Sequence, residues 1–404
     1  MKTKDYTNIC IIGGGMVGLS LAHQIIQRYP KLSIVIIDKE NKIGMHTSGR
    51  NSGILHAGIY YEPGSLKSKV CVSGAKRLKK WCQEQQLPII ECGKVITPQR
   101  EDLDNQIDIL YERGKANGAH VEIIDNNQFN RIVPDGYSST GRALWSPNTC
   151  VVNPLEVVTR LKNNLEKKGV QIIFSEKNWK VVNNNQIKLS CGTDVSFDFL
   201  FNCAGLQSDL VAKKFGVAKN YTMLPFKGSY WELKNNSPFN FNTNLYPVPD
   251  LEVPFLGVHV TPGFGGKTYL GPTATPAVGR ENYSLLENIE IKTSAELIFH
   301  MANQFIIDKK MRRYIFDQAF EWMPSKFLKA AQSIIPKLKK EHIQKSKKVG
   351  IRPQLYDVNK KELVQDFVII EENNTSHVVN AISPAFTASF AFADRIIDNC
   401  TYFK

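Results

Sequence analysis

Nothing in this sequence points to a scaffold held together by cross-links or metal. The eight cysteines (Cys10, Cys71, Cys82, Cys92, Cys150, Cys191, Cys203 and Cys400) form no CxxC pair, and none is grouped with histidine at zinc-ligand spacing. Most lie in apolar runs, where a free cysteine behaves as a small hydrophobe. Long apolar stretches are missing as well. No run approaches the ~18 uninterrupted apolar residues that a membrane span requires. The opening MKTKDYTNICIIGGG enters a strand without the apolar core of a signal peptide. A reduced, cytoplasmic protein is the expectation. No internal repeat or low-complexity tract is present, which excludes solenoids and disordered tails.

Acid is the scarcer charge. Asp and Glu number 38 against 51 Lys and Arg, a net charge of +13. A nucleic-acid partner would call for a recognised binding fold or a basic–aromatic groove, and the sequence shows neither. More than half of the excess sits in one stretch instead: Lys326 to Lys348 holds eight lysines and one acid, Glu341. Two readings stand for it. One is a solvated lysine face. The other is a basic patch making peripheral contact with anionic lipid on the inner face of a membrane.

What is present reads as two globular domains, since 404 residues exceed what one core usually spans. Asn8–Ile12 is a short apolar strand, followed by Gly13-Gly-Gly-Met-Val-Gly18 and a helical stretch from Leu19 to Tyr29. Pro30 stops that helix, and Leu32–Ile37 is a second buried strand. Helical patterning follows over 65–86, a strand over 89–97, and helices over 101–117 and from Pro154 to Gly169. Residues 221–272 alternate like antiparallel strands, and 293–345 read as mostly helical. Strands return at 366–370 and 377–381, before a last helix at about 385–399. The fold class expected is α/β: a Rossmann-like nucleotide-binding domain with a second α+β substrate domain built on an antiparallel sheet. We assign 1–88, 146–215 and 346–404 to the first, and 89–145 and 216–345 to the second.

A GxGxxG match alone is weak, but its context here is complete. Gly13 permits the sharp turn after the strand, Gly15 lets amides approach a pyrophosphate, and Gly18 lets the helix pack on the sheet. The helix N-terminus offers unpaired N–H groups to phosphate. Asp38 ends the second strand 20 residues after Gly18, where a carboxylate accepts ribose hydroxyls; an acid there argues against NADP. A second small-residue turn, Ala204-Gly205 after Phe199–Cys203, suits a cofactor with a larger footprint than NAD.

One segment is more specific: Thr47-Ser-Gly-Arg-Asn-Ser-Gly-Ile-Leu-His-Ala-Gly-Ile-Tyr-Tyr61. It resembles the stretch near the flavin in L-2-hydroxyglutarate dehydrogenases and oxidases, FAD enzymes of the D-amino-acid-oxidase-like superfamily. The likeness continues at Pro63–Lys67, Cys92-Gly-Lys94, Leu245–Asp250, Pro254–His259, Gly271–Ala274, Gly350–Gln354, Asn380–Pro384 and Thr387–Ser389, so it spans almost the whole chain. The sequence departs from the family pattern at Lys227, where arginine is usual, at Thr273, where asparagine is usual, and at Phe386, where a smaller residue is common. The resemblance implies FAD, and hydride transfer from L-2-hydroxyglutarate to flavin N5 to yield 2-oxoglutarate. It implies cofactor contacts at Gly49, Asn51 and Ser52, and sets Ser383 and Thr387 at the start of the last helix beside the ring.

Oxidising a 2-hydroxy acid requires a base for the hydroxyl proton and a cation for the carboxylate; the flavin takes the hydride. Histidine is the natural base. Of the eight, His56 stands among small residues that permit close approach to a ring, and His259 ends an apolar run. His56 is the expected base, with His259 beside it. Arg352, stiffened by Pro353, is the expected carboxylate fork. Tyr60, Lys227 and Tyr230 are expected as further substrate contacts. Electrons would pass on to a quinone or to oxygen. A glycerol-3-phosphate oxidase-like enzyme is the near alternative, and a non-catalytic, membrane-docked FAD-binding adaptor the distant one.

Overall fold

The computed structural model describes residues 6–249, 256–284, 287–307 and 323–404. Asp250, Pro254 and Phe255 of the motifs above lie outside them. Its first sheet is built on five parallel strands, in the order Gln171–Ile173, Ile34–Ile37, Tyr6–Ile12, Asp194–Asn202, Thr375–Asn380. Short antiparallel strands, among them Gln186–Lys188 and Val368–Glu372, extend it.

The parallel order explains the sequence pattern. Ile9 and Ile11 pack into the larger core with helix residues Leu19, Ala22 and Ile25, while Cys10 and Ile12 pack on the opposite face with Phe197 and Leu200. A strand covered on both sides reads as an unbroken apolar run. The last helix, Ala385–Asn399, packs Ala388, Phe392 and Ile396 into that larger core.

Among the described residues the second sheet has ten strands and is mostly antiparallel, with one exception: Asn244–Pro247 runs parallel to Lys94–Thr97. Its spine is the pairing of Tyr221–Leu233 with Ile343–Asp357. That pairing corrects one expectation. Residues 346–357, read as opening the last nucleotide-domain segment, belong to a strand of the second sheet instead, because Val349–Asp357 pair with the long strand residue by residue. The mostly helical reading of 293–345 holds among the described residues up to its last three positions. Ile291–Ile307 and Pro324–Gln332 are helices, and 308–322 lie outside the described residues. From Ile343 the chain is already strand.

The lysine-rich stretch is therefore not one amphipathic helix. Its apolar residues Phe327, Ala331, Ile334, Ile335 and Leu338 are all buried in the core of the second domain. Seven of its eight lysines are exposed; Lys348 turns inward over the rings of Tyr230 and Tyr269, 5.1 Å and 4.7 Å from their centroids. Among the described residues no helix is long and apolar enough to cross a membrane.

Candidate active site

A cavity of about 560 Å³ runs from the glycine turn to the second sheet. At its nucleotide end the first strand stops at Ile12 and Gly13 takes φ +104°; a Cβ there would lie 2.5 Å from the Cys203 carbonyl oxygen. Only glycine brings these two backbones so close. The helix Met16–Arg28 then starts with its N-terminus in the cavity wall. Asp38 accepts hydrogen bonds from the amides of Gly14 and Glu40, both 2.8 Å, which fixes its carboxylate at the wall with lone pairs to spare for ribose hydroxyls. Gly15, Ala204 and Gly205 line the same end.

Two glycines do their work behind the wall. Gly18 abuts the Gly13 carbonyl, as its helix-packing role requires. Gly49 is a correction: its Cα faces the backbone of Gly44, where a Cβ would lie 2.1 Å from the carbonyl oxygen, so it sets a turn and does not line the cavity. Its neighbours Asn51 and Ser52 do line it. Asn51 donates to the carbonyls of Thr47 and Ser48 and accepts from the Gly53 amide, which braces the whole loop. Ser48 caps the first helix by accepting from the Met16 amide at 2.8 Å; no sequence signal singled it out.

The fit to FAD rests on these features together: a glycine cradle that a Cβ would fill, a helix N-terminus, a ribose acid and a cavity that continues past them. At the far end, the N-terminus of the last helix meets the cavity at Ser383 to Thr387. Thr387 donates to the Ile54 carbonyl and accepts from the His56 amide, so it ties the helix to the loop that carries His56.

His56, His259, Tyr230 and Arg352 all line this far end. The Nδ1 of His56 is buried and has no hydrogen-bond partner among the described residues. Burial first, then the charges of Lys94, His259 and Arg352, hold its pKa well below the ordinary imidazole value. His259 donates from Nδ1 to the Gly257 carbonyl at 2.9 Å, which leaves Nε2 as the acceptor of a neutral ring. Burial takes its pKa down to about 3, against a small upward pull from that carbonyl. His259 also stacks on Tyr246, centroids 3.8 Å apart. Both imidazoles are thus uncharged at neutral pH and able to accept a proton.

The strand Tyr221–Leu233 supplies one wall with period-two logic. Phe226, Gly228 and Tyr230 face the cavity; Lys227 falls on the other face. Its ammonium donates to Asn282 Oδ1 and to the Ser284 carbonyl. Lys227, expected as a substrate contact, does not line the cavity, because the register of the strand sends it outward. Tyr60 is half-buried, its buried hydroxyl without a partner among the described residues, and it does not line the cavity. Thr273, noted above as a departure from the family pattern, lines the cavity and accepts from the Ser229 amide.

The acids at the cavity surface, Asp38, Glu40, Glu176 and Glu281, all belong to the nucleotide end. His46 lies there too, bonded to Glu40 and Tyr283, and sequence reasoning passed over it.

Residues 8–398 match the family model described as FAD dependent oxidoreductase. Among curated proteins, the chain is 35% identical to the mitochondrial L-2-hydroxyglutarate dehydrogenase of Caenorhabditis elegans, over 96% of this chain and 92% of that protein. It is 32% identical to the human mitochondrial enzyme of the same name, over 97% and 88%, and 31% identical to the L-2-hydroxyglutarate dehydrogenase of Indibacter alkaliphilus, over 96% and 98%. Among solved structures, it is similar in fold to the FAD-bound L-alpha-glycerophosphate oxidase of Mycoplasma pneumoniae, with TM-score 0.74 and 20% identity over 98% of this chain and 94% of that one. Glycine oxidase from Geobacillus kaustophilus has TM-score 0.70 at 14% identity, over 98% and 94%. With a nucleotide cradle at one end of the cavity and matches of this length, the chain belongs to the FAD dependent oxidoreductase family.

Proposed function

We propose that this protein oxidises L-2-hydroxyglutarate to 2-oxoglutarate with FAD. One observation carries the reading beyond the kinship: the charge along the cavity is segregated. Its acids all stand at the nucleotide end, while the far end gathers two uncharged imidazoles and Arg352, with no carboxylate there among the described residues. Such a chamber suits a substrate that brings its own negative charge and a hydroxyl proton to give away.

FAD held by the Gly13–Gly15 turn and Asp38 would supply the hydride acceptor for the hydroxyl-bearing carbon. The chain's part is orientation and proton transfer. Arg352 holds a carboxylate in two-point fashion. His56 accepts the hydroxyl proton, and His259 stands beside it as a second acceptor with its tautomer fixed by Gly257. Tyr230 lines the chamber. The helix N-terminus at Ser383–Thr387 favours negative charge developing near it.

The electrons leave to a quinone or to oxygen. Any contact of the exposed lysines with an anionic membrane is electrostatic alone, because the apolar residues of that segment are spent in the core. Co-sedimentation with anionic vesicles that survives high salt would contradict this.

Steady-state turnover with an artificial acceptor tests the substrate. L-2-hydroxyglutarate should be turned over with formation of 2-oxoglutarate, in preference to its D-enantiomer, glycerol 3-phosphate and glycine. Preference for glycerol 3-phosphate would replace the reading with the near alternative.

A further inference from the structure

Lys94 has entered so far only as a charge acting on His56. It opens the strand Lys94–Thr97 and is 1% exposed, although lysine is almost never fully buried unless paired. Among the described residues it makes no ion pair. Its ammonium lies 5.2 Å from the ring centroid of Tyr60 and 4.4 Å from that of Tyr246. His259 stacks on Tyr246 at 3.8 Å with the planes 17° apart. One face of the Tyr246 ring is thus taken by imidazole, and the ammonium has the other.

The backbone imposes this row of cation, phenol and imidazole. In the parallel pairing Lys94 stands opposite Asn244, and Tyr246 opposite Ile96. Tyr60 and His56 come from the loop after Ile54–Leu55, Cys71 from the helix Leu66–Glu84, Cys92 from the turn before Lys94, and Arg352 from the long strand. No acid joins them among the described residues. Burial brings Lys94 down to about 8, which leaves it charged at neutral pH. Its charge adds to burial in lowering both imidazoles.

We propose that Lys94 is a positioning residue for the oxidation: placed against Tyr246, on which His259 stacks, its buried ammonium adds a fixed positive charge to the burial that keeps His259, and His56 with it, free to take a proton when a dicarboxylate arrives. The proposal rests on the hydroxy-acid reading and deepens it. A base must be empty to accept the hydroxyl proton, and a nearby cation disfavours a second one. The carboxylates of the incoming substrate offset that charge, so the proton affinity of the imidazole rises when the hydroxyl proton needs an acceptor. Lys94 itself does not line the cavity.

Histidine-labelled holoenzyme, titrated by NMR without substrate, tests the electrostatics in wild type, Lys94→Met and Lys94→Arg, with flavin content as the control for folding. In wild type and Lys94→Arg both imidazoles should titrate well below ~6.5. In Lys94→Met they should titrate about one pH unit higher. With L-2-hydroxyglutarate, the acid-side fall of kcat/KM should move up by about the same amount in Lys94→Met and return in Lys94→Arg. Either imidazole titrating at its ordinary value in wild type overturns the proposal, and so do identical titrations in all three proteins. Equal loss of activity in both variants with no displacement of the pH profile shows a merely structural lysine, and overturns it too. Since the titration uses no substrate, histidines that behave as expected in a protein inert toward the hydroxy acid would refute the substrate reading alone.

Discussion

At the scale of the residue, the site separates groups that face the cavity from groups that only neighbour it in sequence. His56→Ala should keep bound flavin and lose its reduction by the substrate by ~10²-fold or more, because the proton acceptor is gone and the cradle is untouched. Stopped-flow reduction at an unchanged rate would remove His56 from that role. Arg352 and Lys227 make a paired test. Arg352→Ala should raise KM by ~10²-fold, about the value of a charge-assisted two-point contact. Lys227→Ala should leave KM within about twofold, since its ammonium is tied to Asn282 and Ser284 outside the cavity. A steep rise of KM in Lys227→Ala would contradict the register that turns it outward. Lys227 shows why a likeness of motifs stops short of geometry: PFKGSYWEL marks the strand as important, but which alternate residues face inward depends on its pairing with Ile343–Asp357.

At the scale of the element, what was legible was local. The strand–turn–helix–strand at the start and the final helix follow directly from apolar runs, glycine and proline. The strand Ile343–Asp357 was not legible as such. Its first half, IQKSKKV, carries lysines on a partly exposed face, so it lacks the apolar alternation that marks a strand. Its strand character comes from a partner more than a hundred residues earlier in the chain. Lys94 was hidden for a similar reason: a lysine opening a short strand reads as solvated until the parallel pairing with Asn244–Pro247 encloses it. The glycine turn, by contrast, was readable and is testable. Gly13→Ala forces a Cβ to 2.5 Å from the Cys203 carbonyl at φ +104°. The purified variant should carry little or no flavin, measured by the ratio of flavin to protein absorbance. Full flavin content would mean that the two backbones do not need their close approach.

At the scale of the whole molecule, two sheets meet along one cavity, and strands of the second sheet place His259 and Arg352 in its lining. Burying neutral histidines has a consequence for stability. His23, His259 and His377 have pKa values lowered, by burial above all, to about 4, about 3 and about 4. The unfolded chain therefore binds more protons than the folded one from about pH 6.5 downward, so stability rises with pH across that window. This contribution is complete above ~6.5, the unfolded value, and is lost as pH falls toward the folded values. The Tm of the holoenzyme should fall steadily from pH 7 to pH 4.5 (an order-of-magnitude window about these values), and a flat Tm would show that these rings are not buried neutral.

The central claim is that an imidazole and a guanidinium from distant parts of the chain are held against one bound flavin. Anaerobic mixing of the purified protein with L-2-hydroxyglutarate tests it most directly. The oxidised flavin band should bleach, with one 2-oxoglutarate formed per flavin. A flavin that stays oxidised under excess substrate, or a protein that carries no flavin, would contradict it.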